Sequence, residues 1–133
     1  MKTHLSLAAL LAAMTQTAFA NEPLGNVQLE PLIIGNTLYV SVPAGSPGAP
    51  DGGIAPIYYG ADGTAAAQLP AGPKLIGTWQ LSNEGYCVDW ENGPKNSCSS
   101  FVRGKESFLI LDQATGDQRG QVFTIKTGNP ENL

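Results

Sequence analysis

Beyond its first twenty residues, this chain alternates apolar and polar residues in short runs, and no ten-residue stretch carries helical spacing. Such alternation is the pattern of strands with one face buried. It is clearest between Leu75 and Cys98, a stretch holding both tryptophans and both cysteines. With Ser82-Asn83-Glu84-Gly85 as a turn, Leu81 faces Tyr86, Trp79 faces Val88 and Gly77 faces Trp90, so one side of this hairpin is apolar or glycine. The other side pairs Gln80 with Cys87, Thr78 with Asp89 and Ile76 with Glu91, and is the wetter one. A slip of one residue would turn the aromatics toward water. Glycine opposite Trp90 lets the ring lie over bare backbone.

The same reading extends along the chain. Residues 37–42 (Thr-Leu-Tyr-Val-Ser-Val) make a strand rich in β-branched and aromatic residues. Residues 57–59 and 65–69 flank the turn Gly60-Ala61-Asp62-Gly63-Thr64. Residues 99–102 and 106–111 flank Arg103-Gly104-Lys105, and residues 121–125 form the last strand before a tail. Residues 43–56, dense in proline and glycine, read as a mobile loop, with a lid over a binding surface as the alternative. Residues 21–31 read as an extended leader, because Pro23 and Pro31 argue against a helix there. Seven or eight short strands and no helix predict an all-β fold, an antiparallel sandwich or a small barrel, formed by one domain over residues 21–133.

Residues 1–20 are expected to be removed. A short polar start with Lys2, an apolar run from Leu5 to Met14 and the Ala18-Phe19-Ala20 site match a signal peptide, and no cysteine follows for a lipid anchor. The expected location is the periplasm or the medium, with no membrane insertion after cleavage. Lys2 goes with the leader, so six bases face eleven acids, a net charge of −5. That balance disfavours nucleic acid as a partner.

Export makes Cys87 and Cys98, the two cysteines, a disulfide. The only histidine is His4, inside the leader, so residues 21–133 contain none. Ser-His-Asp and Cys-His catalysis and nearly all imidazole-dependent metal sites are thereby excluded, and neither a metal nor a cofactor is expected.

The order Gly35-Asn36-Thr37-Leu38-Tyr39, Tyr58-Tyr59, Asp62-Gly63-Thr64, Gly77-Thr78-Trp79, Tyr86-Cys87-Val88-Asp89-Trp90, Cys98 and Gly128-Asn129-Pro130 resembles a family of small secreted proteobacterial domains of unknown function. The resemblance implies an exported, disulfide-bearing β domain and brings no catalytic residues. Gly-Thr-Trp alone also resembles the first-strand signature of lipocalins and avidins, although here it falls in mid-chain.

Among candidate site residues, Asp89 and Glu91 would project to one strand face about 7 Å apart, a spacing compatible with glycoside hydrolysis and equally with a solvated face. Asp112 and Asp117 bracket a turn that offers oxygen ligands for calcium, though a plain polar turn explains them as well. Ser97, Ser99 and Ser100 have no histidine to serve as base. Trp79 and Tyr86 belong to the expected core. Trp90, Tyr58, Tyr59 and Tyr39, with Asp89 and Glu91, make up the expected binding face; adjacent Tyr58 and Tyr59 must point to opposite sides. No residue is assigned a catalytic role. The expected function is a non-catalytic binding or accessory domain, its partner a small molecule or an envelope protein. The alternatives are an inhibitor that presents the disulfide-closed turn at residues 91–97 to a secreted hydrolase, and a carboxylate-based hydrolase.

Overall fold

The computed structural model describes residues 22–133. The expected signal peptide, residues 1–20, lies outside them. Eight strands close into one antiparallel barrel in chain order: β1 (Asn36–Val42), β2 (Gly53–Tyr59), β3 (Thr64–Gln68), β4 (Lys74–Ser82), β5 (Gly85–Trp90), β6 (Ser97–Arg103), β7 (Phe108–Asp112) and β8 (Gln118–Thr127). β8 pairs back onto β1, which removes every free edge and decides for the barrel over the sandwich.

The β4–β5 hairpin has the expected register, with Leu81 opposite Tyr86, Trp79 opposite Val88 and Gly77 opposite Trp90. At Gly77 the two backbones come so close that a Cβ would lie 2.1 Å from the Asp89 carbonyl oxygen and 3.0 Å from Trp90 Cα. Cys87 stands directly across from Cys98 in the β5–β6 ladder, and the two are joined by a disulfide on the outer surface. That ladder has only three pairs, Tyr86–Ser99, Cys87–Cys98 and Val88–Ser97. Beyond it the chain near Leu24 takes over as partner of β6: Leu24 N–H donates to the Phe101 carbonyl at 2.8 Å, and Pro23 bridges Val102.

Inside the barrel, large rings are set against small residues. Ala65 and Ala67 of β3 leave room for Tyr59, which meets Trp79 edge-on at 5.5 Å and Tyr86 at 5.3 Å. The buried Trp79 indole N–H donates to the Gly60 carbonyl at 2.8 Å, so the ring enters the core with its polar atom satisfied.

Two expectations are corrected. The leader contains a helix, α1 (Asn26–Ile33), despite Pro31 within it. Leu29 and Ile33, one turn apart, are fully buried, and α1 packs against β1 and β4, closing the end of the barrel where β1 starts and β4 finishes. Burial of two large aliphatic side chains offsets the hydrogen bond that proline removes from so short a helix. In addition, β2 begins at Gly53, so residues 53–56 are strand. The remaining loop, residues 43–52, is folded by its own hydrogen bonds, Gly45 N–H to Pro50 C=O and Gly52 N–H to Ala49 C=O, both 2.9 Å. It is also tied to the β3–β4 turn: Ala71 N–H donates to Gly48 C=O at 2.9 Å, and Gly48, at φ 73°, packs on Leu69 where a Cβ would meet Leu69 Cδ1 at 2.3 Å.

Candidate functional site

With α1 stopping one end, the barrel has its opening at the other, where β1, β5 and β7 finish and β6 and β8 begin. A cavity of about 150 Å³ enters there, walled by Val40, Val42, Ile57, Val88, Trp90 and Ile110. Besides Gly120, its other lining groups are polar: the Tyr59 and Tyr86 phenols, the Ser97 and Ser99 hydroxyls and the Arg119 guanidinium. No residue of the folded 43–52 loop lines it.

Arg119 reaches this position through an irregularity in the sheet. In the β7–β8 ladder Ile110 pairs with Gly120 and Leu111 with Gln118, so Arg119 is an extra residue without a partner. Such a bulge re-aims the side chain it carries. Arg119 Nη1 donates to Ser97 Oγ at 2.8 Å and to Ser99 Oγ at 2.9 Å, while Nη2 pairs with Asp112 Oδ2 at 2.5 Å. Asp112 Oδ1 accepts the Ala114 and Thr115 amides at 2.8 and 3.2 Å. The Arg119 guanidinium, helped by these amides, holds the Asp112 carboxyl below the usual carboxylate range. Asp112 is therefore occupied by an ion pair and a turn, and the Asp117 carbonyl accepts the Asp112 amide at 2.8 Å, which makes this stretch a closed turn.

Deeper in the barrel, the Tyr59 hydroxyl donates to the Tyr86 hydroxyl at 3.4 Å. Burial pushes the pKa of both phenols up, and at Tyr59 the neighbouring phenol adds to the effect. Tyr86 stands directly opposite Ser99 in the β5–β6 ladder. Polar side chains thus succeed one another from Tyr59 and Tyr86 in the core to Ser99 and Arg119 at the opening.

On the outer side of that opening lies a second, larger basin of about 510 Å³, bordered by Pro94, Lys95, Asn96, Asp112, Gln113 and Ala114 among others. Ser97 and Arg119 line both spaces, so the two meet at these side chains.

The expected binding face is split by the barrel wall. Trp90 and Tyr59 point inward and are 9% and 1% exposed, and both line the inner cavity. Tyr58 and Tyr39 stand on the outer surface; the Tyr39 hydroxyl donates to Glu131 at 2.6 Å, and the Lys126 ammonium sits 5.0 Å from its ring centre. Glu91 follows the last residue of β5, in the turn, and is exposed, its amide donating to the Ile76 carbonyl at 2.8 Å, the partner expected from the sequence. The Asp89 carboxylate accepts the Asn96 amide and braces that turn.

Sequence reasoning does not single out Arg119. A lone arginine ahead of Gly120 carries no mark in the sequence, since its inward direction comes from a bulge set by two strands together. No protein-family model matches this chain, and no curated protein or solved structure matches it significantly.

Proposed function

We propose that this chain is an exported, non-catalytic barrel that takes a small molecule into its open end. The observation that carries the reading is the cavity of about 150 Å³ at the open end of the barrel, apolar on most of its wall and polar at its rim. Ligand sites take this form, a mostly apolar concavity with a few placed polar groups. A dry cavity of about that volume accommodates a molecule the size of benzene. The disulfide and the motif order resembling small secreted domains support export. Among the described residues no helix is long and apolar enough to cross a membrane.

Trp90 lines the cavity and supplies the assay. Toluene, benzyl alcohol and hexanol titrated into the protein should give saturable changes in tryptophan fluorescence and raise the melting temperature. A ligand at ten times its Kd adds about 1.4 kcal/mol of stability. Val88→Phe, which fills the cavity from β5, should abolish both responses while the barrel stays folded. Absence of any response from the wild-type protein would refute the reading.

A second reading has its own observation. The turn after β5 is braced by the Asp89 carboxylate on the Asn96 amide, by Trp90 N–H to Pro94 C=O at 3.1 Å, and by the disulfide beside it. A fixed, exposed turn suits an inhibitor of a secreted hydrolase. Alanine replacements at Glu91 and Asn92, turn residues that line neither space, that leave ligand binding intact and abolish inhibition of such an enzyme would support it.

A further inference from the structure

We propose that the ligand of this barrel is a small amphiphilic monocarboxylate, its carboxylate seated at Arg119 and its apolar body, about one aromatic ring in size, in the inner cavity. The inference rests on the barrel-interior reading above and specifies the ligand class of that same site.

Arg119 stands where the apolar cavity and the polar basin meet, with its side chain 36% exposed. Its described bonds use both Nη1 hydrogens, on Ser97 and Ser99, and one Nη2 hydrogen, on Asp112. A guanidinium has five N–H donors. The Nε hydrogen and one Nη2 hydrogen have no partner among the described residues. The two serines and the ion pair hold the fork in one orientation, so little side-chain freedom is lost when an anion docks.

Charge points the same way. The basin is bordered by Lys95 and Arg119 against Asp112, a local excess of one positive charge on a chain whose net charge is negative. The Lys95 ammonium donates to the Trp90 carbonyl at 2.5 Å and so stays beside the opening. Asp112 sets the limit on the ligand: its carboxylate already takes part of the Arg119 charge, which leaves room for one negative charge and repels a second. A monoanion is therefore preferred over a phosphate ester or a dicarboxylate. The walls fix the rest. Val40, Val42, Ile57, Val88 and Ile110 offer no hydrogen bond to a polar body, and a space of about 150 Å³ admits a ring or a short branched chain and no long acyl tail.

The test compares phenylacetate with its neutral isostere phenylacetamide by calorimetric titration at neutral pH. In the wild-type protein phenylacetate should bind at least about tenfold more tightly, the difference expected of one charge-assisted hydrogen bond. Arg119→Met should bring the ratio to about one. Asp112→Asn removes the competing carboxylate and keeps an oxygen for the Ala114 and Thr115 amides, so it should tighten phenylacetate and leave phenylacetamide unchanged. If both compounds bind the wild-type protein equally, the carboxylate assignment is overturned and the barrel reading stands. If neither binds, and toluene and hexanol also fail, the barrel reading itself falls. Should Arg119→Met not fold, the wild-type ratio and Asp112→Asn decide the matter.

Discussion

Breaking the Cys87–Cys98 bridge should weaken the barrel at one seam. The bond closes a loop of 11 residues' separation, for which restriction of the unfolded chain is worth about 3 kcal/mol. Its place in the sheet sharpens the expectation. β5 and β6 share three ladder pairs, and the cysteines form the middle one, so no long run of backbone hydrogen bonds can hold the strands together in its stead. Domains of this size have roughly 5 to 15 kcal/mol in total, which makes the loss a large fraction. We expect the Cys87→Ser/Cys98→Ser protein to fold, with its urea midpoint lowered by about 1 to 3 M, the ratio of 3 kcal/mol to an m-value of about 1 to 3 kcal/mol per M. The wild-type protein in reductant should follow the same curve. Ser97 and Ser99, the two hydroxyls that hold Arg119, flank Cys98 on β6, so the weakened seam should also loosen ligand binding. Equilibrium urea denaturation followed by tryptophan fluorescence reads the first effect, and the calorimetric titration reads the second. A loss below about 1 kcal/mol would refute the reasoning, because it would mean that the bridge neither restricts the unfolded chain nor supports the short ladder.

Three other outcomes follow from the packing. Leu29→Ala empties a fully buried site in the end-closing helix and should cost about 2 to 5 kcal/mol by urea denaturation, whereas Val27→Ala, on the exposed side of α1, should cost almost nothing. Gly77→Ala must push the β4 and β5 backbones apart and should cost about 1 to 3 kcal/mol; Gly93→Ala, whose nearest neighbour would be Trp90 Cβ at 3.2 Å, should cost less. Stability should also fall on the alkaline side. Burial holds the Tyr59 and Tyr86 phenols protonated above their ordinary range. Above about pH 10 the unfolded chain releases these protons first, so each phenol lowers stability by up to about 1.4 kcal/mol per pH unit. Urea midpoints measured across this range should decline, and Tyr59→Phe should reduce the slope; a flat profile would contradict the burial of these hydroxyls.

Alternation along 75–90 leaves a single register that hides Trp79, Tyr86 and Trp90 together, so the β4–β5 hairpin was legible from local pattern alone, and the barrel adopts that register. The disulfide was legible too, from two cysteines in a chain that reads as exported, as was the absence of any histidine from residues 21–133, which removes whole classes of chemistry before any fold is considered. Helix α1 was hidden by its brevity and by Pro31; two aliphatic residues one turn apart acquire meaning only when an open barrel end is there to receive them. Whether the sheet closes was a question about β1 and β8, strands at opposite ends of the chain, whose pairing no local pattern encodes. The same holds for the site. The alternation that sets Tyr59 and Trp90 on one face does not say which face is enclosed, and Arg119 owes its direction to being the unpaired residue between β7 and β8. Local periodicity specifies which side of a strand is apolar, whereas the inside of a barrel and the reach of a bulged arginine exist only once all eight strands have met.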